Sequence, residues 1–248
     1  MRLPDITGII KRRILVNYRL APELVQPLLP SPFRPRLHCG YAIAGICLIR
    51  LEAMRPLGMP AFLGTSSENV AHRIAVEWDE GTTVRQGVFV FRRDTDSLLN
   101  HYAGGRLFPG VQHYASFAVR DRGGHIGIRA KCEDGTTLVE LRGHESTVLP
   151  ASSVFASVDE SSRFFERGCL GFSLAKTGEP QGMNLLIRDW SAKPFVVEIA
   201  RSRFFADTSV FPVGSVTFDH AILMRDIPHD WQPCAVPAAT VKRIVERC

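Results

Sequence analysis

Glu68 sits in Thr65-Ser66-Ser67-Glu68-Asn69-Val70, where a polar turn gives way to an apolar run. A carboxyl group there either caps the turn or, once burial raises its proton affinity, serves as a general acid or base. His72 and Arg73 follow early in the same run, and the two-residue period of a strand sends them to opposite faces. An inward Arg73 needs a carboxylate or a ligand beside it, whereas an inward His72 is satisfied as a hydrogen-bonded core histidine. Arg92-Arg93-Asp94 closes the apolar stretch Val88-Phe89-Val90-Phe91. A guanidinium at a strand end either clamps a carboxylate ligand in bidentate fashion or pairs with Asp94 or Asp96 to fix the turn. His113-Tyr114 adds an imidazole that titrates near neutral pH and a phenol able to polarise a carbonyl. His220, next to Asp219, reads as a structural histidine, with the two side chains on opposite faces of a strand.

Other chemistries lack their residues. No phosphate loop, dinucleotide fingerprint, nucleophile elbow or zinc-protease motif is present. The six cysteines form no C-x-x-C pair and are too sparse for a disulfide scaffold, so reduced thiols are expected. The spacing of the histidines nominates no metal triad. Neither a metal nor a cofactor is expected.

Strands must position most of these groups. Ile14 to Tyr18, Tyr41 to Leu51, Ala71 to Trp78, Arg85 to Phe91, Tyr114 to Arg120, His125 to Cys132 and Thr137 to Gly143 are rich in β-branched and aromatic residues. Turns such as Asp79-Glu80-Gly81 and Asp121-Arg122-Gly123-Gly124 separate them. Later strands are expected at Phe195 to Arg201 and Ser215 to Met224. Helices are expected from Ala21-Pro22-Glu23 to Pro30, over Asp96 to Tyr102 closed by Gly104-Gly105, over Ser157 to Arg167, and at Thr240 to Arg247. With no repeat or convincing linker, residues 1–248 read as one mainly β (α+β) domain, its tail peripheral from about 232.

Composition narrows the partners. A net charge of +5 is mildly basic, and the pairs Arg12-Arg13, Arg92-Arg93 and Arg120/Arg122 are scattered along the sequence and mostly offset by acids. Nucleic acid is therefore not an expected partner. The longest apolar-rich stretch, Tyr41 to Leu51, is broken by Gly45 and Arg50 and is far shorter than a membrane span, and a cytoplasmic protein is expected.

The segment from Val16-Asn17-Tyr18-Arg19-Leu20 through Ala21-Pro22-Glu23 to Pro30, then Phe108-Pro109, then Phe218-Asp219-His220-Ala221 with Asp226-Ile227-Pro228, resembles the acetoacetate decarboxylase-like superfamily. The resemblance is strongest to a branch labelled only as a domain of unknown function, through Ser161-Ser162-Arg163-Phe164-Phe165-Glu166, Arg188-Asp189-Trp190, Phe211 to Ser215 and Ala221 to Trp231. It implies a cone-shaped β-barrel with a few short helices, an internal pocket for a small oxo acid or carboxylate, and a homo-oligomer. It also implies an acidic pocket residue at Glu68 and a basic one near Lys11.

The superfamily's reactive lysine pair follows the proline, where this chain has Gly110-Val111. Schiff-base decarboxylation requires that amine, and the lysines at 11, 131, 176, 193 and 242 fall elsewhere. By the same resemblance His113 and Tyr114 lie near the pocket, and Gly110 leaves space for a ligand. The expectation is a lyase-like or enolising protein using Glu68, His113 and Tyr114, with Arg92, Arg73, His72 and Gly110 binding the ligand. The alternative is a non-catalytic binding or structural protein on the same barrel.

Overall fold

The computed structural model describes residues 5–102 and 109–237. Phe108, the Gly104-Gly105 helix stop and the helix expected at Thr240 to Arg247 lie outside the described residues.

The chain runs through β1 (Ile6–Leu20), α1 (Pro22–Val25), short strands β2 (Arg34–Pro35) and β3 (Leu37–His38), then β4 (Tyr41–Pro56), β5 (Thr65–Glu80) and β6 (Thr83–Thr95). Next come α2 (Leu98–Tyr102), β7 (Gln112–Arg122), β8 (His125–Cys132), β9 (Thr137–Glu145) and α3 (Val158–Glu166). β10 (Leu170–Leu174), β11 (Pro180–Ile187), β12 (Lys193–Ser202) and β13 (Thr217–Cys234) follow. The composition had marked neither β10 nor β11, whose residues are mixed in character. The expected tail boundary moves outward, because β13 runs to Cys234.

All strands but β3 follow one hydrogen-bonded path, and two further pairings close it on itself. The strands β13, β1, β4, β5 and β6 form a wall. On one side of it β10 pairs with β6 and β11 with β13, completing a smaller ring. On the other side β7, β8, β9 and β12 run from β6 back to β13, completing a larger one. The fold is mainly β, barrel-like and short on helix, as expected from the sequence.

The shared wall explains its composition. Residues 42–49 of β4 are buried without interruption, the pattern of a strand covered on both faces rather than one. Ile14, Val16, Leu48, Val70 and Ile74 point into the larger ring and meet Ile126, Ile128, Leu141 and Phe195. Leu15, Cys47, Ile49, Ile222 and Met224 point into the smaller ring and meet Met183, Leu185 and Phe165 of α3. α3 starts with an N-cap in which Ser157 Oγ accepts from Glu160 N–H, with Asp159 and Glu160 in its first turn.

Strand approach across the wall is close at Gly45, where an added Cβ would strike the carbonyl oxygen of Val16 in β1. We therefore expect Gly45→Ala to force β1 and β4 apart and cost about 2 kcal/mol or more, read as a lower urea midpoint. Undiminished stability would show that the wall yields there.

Candidate functional site

The buried and half-buried polar groups divide between the two rings. Glu68, His72, Arg92 and Asp94 lie on the larger-ring face, and Arg73 and Arg93 on the smaller-ring face. His72 and Arg73 do alternate as a strand requires, yet both are buried, at 0% and 3% exposure. Both are covered because the strand has two insides.

On the larger-ring face Glu68 accepts from Arg12 Nη2 at 2.6 Å, with Arg50 at 4.0 Å. Burial raises the Glu68 carboxyl above its ordinary value, against the opposing pull of Arg12 and Arg50. Arg12 also reaches Asp121 at 3.5 Å, and Asp121 takes both Nη groups of Arg225 at 2.8 and 2.9 Å. Arg92 grips the fully buried Asp94 through Nε and Nη2 at 2.8–3.1 Å, the structural pairing of the two weighed for it. His72 Nε2 meets Ser202 Oγ at 2.9 Å, and burial beside Arg92 pushes its imidazole down to about 3, so it is neutral at ordinary pH.

His113 stands in register with Asp94, and Tyr114 with Thr95. Asp94 in turn pairs with Val70, two residues along β5 from Glu68. The register thus brings Glu68, His72, Arg92, Asp94 and His113 to one patch of sheet, with apolar side chains filling the ring beneath them.

The smaller-ring face is different in kind. Arg73 donates from Nη2 to Asn17 Oδ1 at 2.7 Å and lies 4.6 Å above the Phe165 ring, but its Nε and Nη1 have no partner. Arg13 donates from Nε to Cys47 Sγ at 3.5 Å, lies 5.6 Å from the Trp190 ring, and leaves Nη1 unpartnered. Arg93 donates from Nε and Nη2 to Ser173 Oγ at 3.3 and 3.1 Å. Among the described residues no carboxylate stands within 4.0 Å of any of the three. Burial lowers Arg73 and Arg93 to about 10, which still leaves them charged at neutral pH. His229, near Arg13, is held down to about 4 by burial and the Arg13 charge, and is neutral.

Gly110 borders this face. Its N–H donates to Gln181 Oε1 at 2.9 Å, its φ is +82°, and an added Cβ would lie 2.6 Å from Ser173 Cβ. The room beside Gly110 is therefore taken by the serine that holds Arg93. Glycine is required twice over there, by the left-handed backbone and by the contact.

The structure also shows a connection that strand alternation concealed. Asn17 pairs with His220 and Tyr18 with Phe218, so Asp219 is the extra residue of a bulge and turns beside His220. Asp219 Oδ2 accepts from His220 Nδ1 at 2.6 Å, and His220 Nε2 accepts from Ser161 Oγ at 2.7 Å and Asn17 Nδ2 at 3.2 Å. The connectivity is that of a nucleophilic triad. All three residues are 0% exposed, so the chain instead ties α3 to the wall.

A profile of the DUF2071 family, described as uncharacterized conserved protein, matches residues 10–168. The chain belongs to this family. Its fold is that of acetoacetate decarboxylase-like enzymes. The acetoacetate decarboxylase of Legionella pneumophila superposes with a TM-score of 0.61 at 11% identity, over 93% of this chain and 86% of that one. An acetoacetate decarboxylase-like enzyme from Sphingomonas wittichii RW1 gives 0.56 at 16%, over 94% and 91%. The enduracididine biosynthesis enzyme MppR, complexed with pyruvate, gives 0.57 at 12%, over 93% and 89%. No curated protein sequence matches. At these identities the likeness concerns the fold. No helix among the described residues of this DUF2071 protein is long and apolar enough to cross a membrane.

Proposed function

We propose that this DUF2071 protein binds a small oxo acid or carboxylate inside the smaller ring, held by Arg73 and Arg13 with Arg93 behind them, and forms no Schiff base with it. One observation carries the reading: buried guanidinium nitrogens of Arg73 and Arg13 lie on one face of the wall without a partner, and no carboxylate among the described residues neutralises them. Burying unpaired charge is costly, and an anion with two oxygens relieves it in the geometry arginine favours. The pyruvate complex of a protein sharing the fold supports this ligand class. The lysines among the described residues support the second half, since Lys11, Lys131, Lys176 and Lys193 are all exposed, whereas a Schiff-base amine is activated by burial.

The proton-transfer reading, with Glu68, His113 and Tyr114 as acid and base, draws on the raised Glu68 carboxyl. It places the chemistry on the opposite face of β5 from the arginines. The binding reading needs no such separation and is the one favoured.

Pyruvate and acetoacetate at millimolar concentration are expected to raise the melting temperature, whereas acetone, which lacks the carboxylate, leaves it unchanged. Borohydride added with acetoacetate is expected to leave the mass of the protein unaltered. Equal stabilisation by acetone would remove the arginines from the argument, and a reduced covalent adduct would restore Schiff-base chemistry.

A further inference from the structure

The outer face of β7, β8, β9 and β12, turned away from both rings, carries a second group of residues able to bind a ligand. His125 and His144 are direct partners across β8 and β9. Between Val197 and Ile199 the β9–β12 register shifts by one residue, and the extra residue is Glu198. Its carboxylate Oε1 lies 3.1 Å from His144 Nδ1, and one donor atom from each of the three residues lies within 4.8 Å of the others. We propose that His125, His144 and Glu198 form a site for a divalent transition metal such as zinc, cobalt or nickel.

Ligand atoms about 2.0–2.2 Å from a common ion stand roughly 3.0–3.5 Å apart. The His144–Glu198 pair already meets that spacing. His125 completes it by a small rotation, for which its exposed position beside the Gly123-Gly124 turn leaves room. Two imidazoles and one carboxylate suit zinc and its neighbours, and three protein ligands leave a coordination position open.

What borders that open position is cationic. A groove of about 820 Å³ on the same face is lined by Arg120, Arg122, Arg129 and Arg142 together with His125 and Glu198. Arg129 and Arg142 share Glu140, at 2.8 and 3.4 Å, while Arg120 makes no ion pair among the described residues. The arginines weaken the hold on a bare cation and favour one whose open position carries an anion. Arginines dispersed along the sequence thus meet on one surface. The plain alternative is a surface His144–Glu198 ion pair with His125 nearby by chance.

Cobalt(II) separates the two. Titrated into the intact protein near pH 7.5, it is expected to bind one equivalent with the intensified visible absorption of a four- or five-coordinate ion. Inorganic phosphate is expected to shift that spectrum and tighten binding. His144→Ala and Glu198→Gln are each expected to weaken binding at least tenfold while leaving the circular dichroism and the metal-free melting temperature unchanged, as exposed substitutions should. A spectrum that stays that of the aqua ion, or affinity equal to wild type in both variants, overturns the site. A spectrum indifferent to phosphate removes the arginine groove from it.

Discussion

Arg73→Met is expected to abolish most of the stabilisation that small carboxylates confer, weakening their binding by about 10- to 100-fold, while the ligand-free protein keeps nearly its original stability. The first half follows from the charge-assisted hydrogen bonds lost, worth about 1.5–3 kcal/mol each. The second follows from two opposing changes. Methionine leaves Asn17 Oδ1 without the donor it has at 2.7 Å, which costs about 1–3 kcal/mol. It also removes a buried charge with two unpartnered nitrogens, whose desolvation nothing on the protein repays. Methionine still packs on Phe165, and the net change is expected within about 2 kcal/mol. Arg73→Lys keeps the charge but loses the planar fork, and is expected to fall between wild type and methionine. Calorimetric titration with pyruvate, paired with urea denaturation of each variant, reads both quantities. Wild-type affinity in Arg73→Met would move the ligand elsewhere. A ligand-free protein that collapses on losing Arg73 would make the residue a structural cation instead.

Asp219→Ala is expected to cost about 3–5 kcal/mol, the largest loss from any single change to the buried polar network. Asp219 Oδ1 accepts from Arg19 Nη1 at 2.9 Å and Val154 N–H at 3.0 Å, and Oδ2 from Ser153 Oγ at 2.7 Å and His220 Nδ1 at 2.6 Å. Removing it strands donors from β1, from the segment leading into α3 and from β13 together. The same bonds give the protein an acid sensitivity. Burial alone would raise this carboxyl, but the donors from His220, Val154 and Ser153 outweigh it and bring it to about 2. A depressed carboxylate contributes stability that is complete above its unfolded value near 4 and is lost as the pH falls from about 4 through 2. The loss amounts to about 2 kcal/mol. Asp219→Asn, which keeps the shape, is expected to be destabilised at pH 7 and to lack this part of the acid transition. Denaturation midpoints between pH 2 and 7 decide it. If the asparagine variant loses stability across pH 4 to 2 as steeply as wild type, Asp219 is not the titrating group.

Much of the fold could be read from residues. The expected strands at His125 to Cys132 and Thr137 to Gly143 match β8 and the start of β9, because alternating residues bounded by Gly-rich turns fix a hairpin locally. Asp159-Glu160, acidic residues favoured at a helix N-terminus, mark the start of α3 in the same local way. β10 is not evident from residues alone because Leu170, Phe172 and Leu174 alternate with Gly171 and Ser173 over only five residues, too short a run for its period to stand out. Arg73 was singled out as a residue needing a carboxylate or a ligand. Arg13, in an apparently ordinary basic run at the chain start, was not, since nothing local distinguishes a buried guanidinium from a solvated one.

The sequence by itself determined the class of the protein: mainly β and related in pattern to the acetoacetate decarboxylase-like superfamily. Those properties are carried by composition, short-range periodicity and residue identity. Only the tertiary structure decided which side chains share a space. A wall buried on both faces sent Glu68 and Arg73 to different rings, a bulge turned Asp219 onto His220, and strand pairing brought Arg13, Arg73 and Arg93 to one face of the wall with no carboxylate among the described residues to pair them. Charge compensation and ligand geometry depend on distances across strands far apart in the chain. Those distances exist only once the two rings have closed.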